Sequence, residues 1–185
     1  MSLKSRPLNP KYDVDSVLEE LNGANPRAAA IVGAAWLDDL LLRLLTGFMI
    51  PGKEVDRLLG ADGRGPLASS SARTRLAYCL GLITHTEMQD LLTIGKIRNL
   101  FAHRIHRSTF DNNKISDLCY KLRIGPRLVS DRSNATAGDL FLTTIATLAY
   151  SLANRPQAEF AARRNPIRPS TLEDIRQQML NDSRT

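Results

Sequence analysis

Two stretches of this 185-residue chain, 26–49 and 134–154, carry apolar residues on almost every side of a helical wheel. The first holds Ile31, Val32, Trp36, Leu37, Leu40, Leu41, Leu42, Leu44, Leu45 and Phe48, and beyond its first turn its only charges are Asp38, Asp39 and Arg43. The second holds Leu140, Phe141, Ile145, Leu148 and Leu152. A helix of that kind must be covered on most of its sides, so the rest of the chain has to fold around these two. Aromatic residues make up only 5% of the chain, whereas Leu, Ala and Ile are plentiful, a bias toward helix over sheet. No stretch shows period-two alternation. The expected class is all-α: a helical bundle with two long apolar helices and an amphipathic helical hairpin between them. A chain of this length can bury a core without disulfides or metals.

Punctuation along the chain divides it into three parts. Residues 1–25 read as an arm with Pro7 and Pro10, then a short helix from Asp13 to Leu21 ended by Asn22-Gly23. Residues 26–154 form the helical domain. Asn25-Pro26 supplies an N-cap and a first-turn proline. A short helix over 53–59 ends at Gly60, and residues 60–71 are a loop with Ser70 or Ser71 as the next cap. A helix over 72–83 is expected to bury Leu76, Ala77, Leu80 and Ile83. Thr84-His-Thr-Glu87 reads as a capping box for the helix after it. A turn over 109–113 and a short helix over 114–122 follow, the latter ended by Gly125-Pro126. Residues 155–185 form a tail interrupted by Pro156, Pro166 and Pro169, with a last short helix after Ser170.

Several functions are excluded or disfavoured. No charge-free apolar run is long enough to span a membrane, and the first 25 residues lack a secretory apolar core, so the expected location is the cytoplasm. Cys79 and Cys119 have no ligand spacing and read as reduced core thiols. Three histidines without carboxylates at ligand spacing do not make a metal site. Neither a P-loop nor a Gly-x-Ser-x-Gly turn is present, and no cofactor is expected.

The net charge of +6 is local. Residues 61–135 hold 12 basic and 6 acidic side chains, an excess equal to that of the whole chain. Its centre is Ile94-Gly-Lys-Ile-Arg-Asn-Leu-Phe-Ala-His-Arg-Ile-His-Arg107, with six basic side chains counting two histidines, and no acid. On a helix Asn99 and His103 share a face, His106 extends it, and Arg98 reaches it from one side. A guanidinium, an amide and an imidazole around one spot suit a phosphate, with Lys96, Arg104 and Arg107 as a basic rim. The plainer alternative is that Arg98 and Asn99 brace this helix while His103 packs. Asp39 is placed to pair with Arg43 one turn on; alternatively, Asp38 or Asp39 holds a basic group of this stretch.

Two chemistries fit the basic segment. Residues 75–99 read as helix, turn, helix, but a DNA-reading second helix needs apolar residues where Glu87 and Asp90 stand; a turn one residue longer moves that need to Met88 and Leu91, which are apolar, so the signal is weak, and Arg98, Asn99 and His103 lie well past the helix start. The alternative is RNA cleavage without a metal, in which His103 moves a proton of the ribose 2′-OH and Arg98 stabilises the charge on the phosphate. A two-fold dimer would supply a second histidine.

Arg98-Asn-Leu-Phe-Ala-His103 resembles the Arg-x4-6-His motif of HEPN domains. Together with Ile31-Val-Gly-Ala-Ala-Trp-Leu-Asp-Asp-Leu-Leu41 and Gly65-Pro-Leu-Ala-Ser-Ser-Ser-Ala-Arg-Thr-Arg-Leu-Ala-Tyr-Cys-Leu-Gly-Leu-Ile83, it resembles the mannitol operon repressor family over roughly residues 27–106. The resemblance implies a HEPN-like all-α fold. It also implies a transcription-related regulator acting through a protein or nucleic-acid partner (RNA more than DNA), without a dedicated DNA-binding domain. By analogy with HEPN ribonucleases, it implies a homodimer in which Arg98 and His103 would be catalytic and Asn99 would position them. A non-catalytic interaction module remains the third alternative.

Overall fold

The structure is a computed structural model that describes residue 17 and residues 19–60, 64–103, 108–129 and 134–155. Among these it is all-helical. The helices are α1 (Pro26–Phe48), α2 (Lys53–Leu59), α3 (Ser70–Cys79), α4 (His85–His103), α5 (Asn113–Tyr120), α6 (Gly125–Leu128) and α7 (Ala137–Ala153). A helical stretch at 19–23 precedes them and sends Leu21 into the core.

The two apolar helices are the centre of the bundle. α1 packs chiefly on α7 and α4 and also on α3, while α5 and α6 lie against α7. Leu37, Leu41, Leu44 and Leu45 of α1 and Phe141, Ile145 and Leu148 of α7 are fully or almost fully buried. Burying a Leu, Ile or Phe side chain contributes roughly 1.5–3 kcal/mol, so this seam is the main source of cohesion. Phe110 links the next layer: its ring centroid lies 5.2 Å from that of Phe101 on α4 and 5.1 Å from that of Phe141 on α7.

Local signals explain most helix starts. The Asn25 side chain accepts from Ala28 N–H at 2.9 Å, with Pro26 in the first turn. Thr84 and Glu87 form the reciprocal box that opens α4: Thr84 N–H donates to Glu87 Oε2 at 2.7 Å, and Glu87 N–H donates to Thr84 Oγ1 at 3.2 Å. A second box, Thr136 with Asp139, opens α7 and was not anticipated.

Four expectations are corrected. The cap of α3 is Ser69 rather than Ser70 or Ser71, its hydroxyl accepting from Ala72 N–H. α3 stops at Cys79 instead of running to Ile83, because Gly81 at φ 70° turns the chain; Gly81 N–H donates to Tyr78 O and Leu82 N–H to Ala77 O. As a result Leu80 is exposed rather than buried, and so is Cys79, while Cys119 is buried as expected. Gly125-Pro126 does not simply end a helix; it opens the single turn of α6. There the backbone of Gly125 presses against α7, its N–H donating to Thr144 Oγ1 at 3.1 Å.

Candidate functional site

The outer face of α4 carries the residues singled out above. Ile94, Ile97 and Phe101 turn inward and are buried, with Ile97 and Phe101 at 0% exposure. The helical repeat then places Lys96, Arg98, Asn99 and His103 outward, and all four are exposed. Within the described residues, no hydrogen bond or ion pair ties down the side chains of Arg98, Asn99 or His103. Arg104, His106 and Arg107 lie outside the described residues.

The acidic pair is used differently from the sharper expectation. Asp39 holds Arg43 at 2.6 Å across one turn, an exposed pair of small energetic weight. Asp38 holds Arg73 of α3 at 2.7 Å, not a described residue of the basic stretch. Arg73 is 8% exposed and also donates to Leu59 O at 3.2 Å, so α3 delivers a buried guanidinium where Asp38 can reach it. Arg98 and Asp38 both line a cleft beside α4.

One basic residue near the site was not foreseen. Arg27, in the first turn of α1, donates to Ala102 O at the end of α4, 3.4 Å away. This places a further cation beside His103. The contact joins residues 75 positions apart, and no local pattern announces it.

α4 is held rigidly at its other end. Burial pushes the Glu87 carboxyl up, but Thr84 N–H, the Ser151 hydroxyl and the Arg155 guanidinium together outweigh it and leave the carboxyl below its ordinary range. Ser151 donates to Glu87 Oε1 at 2.8 Å, and Arg155 bonds both Glu87 and the Leu82 carbonyl. Asp90 is 1% exposed and accepts from the N–H groups of Arg123 and Ile124 at 3.0 and 2.9 Å. For Asp90 burial prevails over these amides and holds the carboxyl above its ordinary value. The two acids that spoil a DNA-reading helix are therefore buried positions whose oxygens receive backbone donors.

Among the described residues no group of three or more His, Cys, Asp or Glu could hold a metal ion. No described helix is long and apolar enough to cross a membrane.

Fold and site together define an all-helical bundle with one exposed basic helix face and no described metal cluster. The chain belongs to the mannitol repressor (MtlR) family, whose profile matches residues 14–152. A chain in the X-ray structure of the MtlR–HPr complex from Escherichia coli shares the fold, with a TM-score of 0.60 and 21% identity over 76% of this chain and 98% of that one. No curated protein sequence matches it.

Proposed function

We propose that this protein is a transcription-related regulator of the mannitol repressor type that acts by docking a protein partner on the outer face of α4. The observation that carries the proposal is the state of Arg98, Asn99 and His103, which are exposed, adjacent and free of bonds to described residues. An ordered helix presenting unspent polar groups suits recognition, since the geometry is already fixed before a partner arrives. Family membership supports the regulatory role, and the solved complex of a similar fold with HPr supports a protein as the partner. Lys96 and Arg27 would add charge at the rim, where it steers encounter more than it adds affinity.

Calorimetric titration of the purified chain with E. coli HPr tests this reading. The expected result is saturable binding that weakens by about tenfold or more, equivalent to about 1.4 kcal/mol, in Arg98→Ala or His103→Ala. Absence of binding, or an affinity in both variants unchanged from that of the unsubstituted chain, would overturn it.

A second reading draws on the same exposure. A free imidazole and a free guanidinium on one helix could also serve a metal-independent endoribonuclease, with a homodimer joining two HEPN-like copies of Arg98 and His103 and with Asn99 positioning them. Structured RNA incubated with the protein in EDTA, beside His103→Ala, decides it. Equal RNA loss in both samples would dismiss the enzyme.

A further inference from the structure

Between α1, the first residue of α3 and the middle of α4 lies a cleft of about 150 Å³. Leu37, Leu41, Leu91, Ile94 and two alanines give it apolar walls, and Asp38, Ser70 and Arg98 are its polar lining residues. Gly95 also lines it, and a Cβ placed there would meet nothing within 4 Å. Water against such walls finds few hydrogen-bond partners, so an apolar group gains by displacing it.

Charge decides what that apolar group carries. Asp38 and Arg73 pair at 2.7 Å and offset each other, and the Asp38 oxygen outside that bond is buried, out of a ligand's reach. Neither the Arg98 side chain nor the Ser70 hydroxyl is bonded to a described residue. Arg98 is exposed and Ser70 half-buried, so one uncompensated cation and one hydroxyl remain for a ligand. One cation balances one negative charge. A carboxylate brings one and matches the planar guanidinium fork, whereas a phosphate monoester brings about two at neutral pH. Volume sets the size of the apolar body. A cavity of about 150 Å³ holds a single benzene ring, whereas drug-sized ligands need about 300–1,000 Å³.

We propose that this cleft binds a small apolar monocarboxylate, with a ring-sized hydrocarbon body against Leu91 and Ile94 and the carboxylate on Arg98 and the Ser70 hydroxyl. A hydroxyl or amine on the body would lose its water and find no partner on these walls. The site goes beyond partner docking and shares only Arg98 with it.

Methyl-resolved NMR titration of the full chain with benzoate, beside benzamide and acetate, is the test. Benzamide keeps the ring without the charge, and acetate keeps the charge without the ring. Benzoate is expected to bind at least about tenfold more tightly than either. It should shift the methyl signals of Leu91 and Ile94 and leave those of Leu148, buried on α7, in place. Gly95→Leu should abolish that binding by filling the cleft, while melting at or above the temperature of the unsubstituted protein, since Leu favours the helix more than Gly does. Arg98→Ala should weaken benzoate to the level of benzamide. Failure of benzoate to bind, shifts that avoid Leu91 and Ile94, or undiminished binding in Gly95→Leu overturns the proposal. Benzamide binding as tightly as benzoate overturns the role given to Arg98, and phenyl phosphate binding more tightly than benzoate overturns the choice of a carboxylate. HPr is absent from these titrations, so their failure leaves partner docking standing, and failure of HPr to bind leaves the cleft standing.

Discussion

Arg73 of α3 reaches Asp38 of α1 at 2.7 Å, an ion pair with a buried guanidinium and a half-buried carboxylate that ties α3 to the central helix. Its energetic asymmetry is large. The pair itself contributes modestly once desolvation is counted, but removing one partner strands the other in a dry environment.

Asp38→Ala is therefore expected to lower the unfolding free energy by about 3 kcal/mol, toward the lower end of the range for a broken buried pair because Asp38 is partly exposed. Asp38→Ala combined with Arg73→Met should recover part of that loss. Urea denaturation at constant m checks both, and an additive double variant would mean that the pair is not coupled.

Glu87 and Asp90 predict opposite pH dependences. The Glu87 carboxyl is held below its ordinary value of 4.5, so its contribution is fully present above that value and is lost as pH falls through the lower folded one. The Asp90 carboxyl is held above its ordinary value of 3.8, so its contribution is largest below 3.8 and is lost as pH rises through the folded value. Glu87→Gln should make the acid-side fall in stability shallower, and Asp90→Asn should make it steeper. Denaturation series between about pH 3 and pH 6 read the two slopes.

Two glycines predict opposite signs for one substitution. A Cβ at Gly125 would collide with the Leu140 carbonyl oxygen and lie 2.5 Å from Thr144 Oγ1, so backbone would have to move. Gly125→Ala should cost about 1–3 kcal/mol. Gly95→Ala adds its Cβ to open space within a helix and should stabilise by about 0.5–1 kcal/mol. Thermal melts of the two variants give the comparison directly.

The two thiols should separate cleanly. Cys79 is exposed, whereas burial pushes the Cys119 thiol up to about 12. A thiolate-specific reagent should label one cysteine per native chain at neutral pH and two in denaturant. Rapid labelling of both under native conditions would contradict the burial of Cys119.

Arg98→Ala and His103→Ala should each leave stability within about 0.5 kcal/mol, because neither side chain is bonded to a described residue. A larger loss would return these residues to a bracing role. This control also makes their effect on HPr binding interpretable.

Features written in neighbouring residues could be read from the chain alone. Asn25-Pro26 and the Thr84–Glu87 box are complete within four positions, and the two apolar helices announce their own burial. That Asn99 and His103 share a face was also legible, since they stand four residues apart on a helix; that the face points outward was not, and the burial of Ile97 and Phe101 is what shows it. What stayed hidden depends on distant partners. Asp90 looks like a surface acid until Arg123 and Ile124 bring their amides to it. Nothing near Asp38 names Arg73, and nothing near Ala102 names Arg27. The hairpin between α3 and α4 was shortened by one glycine whose backbone angle, not its hydropathy, decides where the helix stops.

The bonds of Arg155 bear on where the smallest self-sufficient fragment ends. The stretch shared with the family stops at residue 152, a natural place to cut an expression boundary. Arg155 lies just past it, yet its guanidinium reaches back to Glu87, Ser151 and Leu82. A fragment trimmed to 152 would retain every residue of the family match and still leave the Glu87 carboxylate buried without its cation.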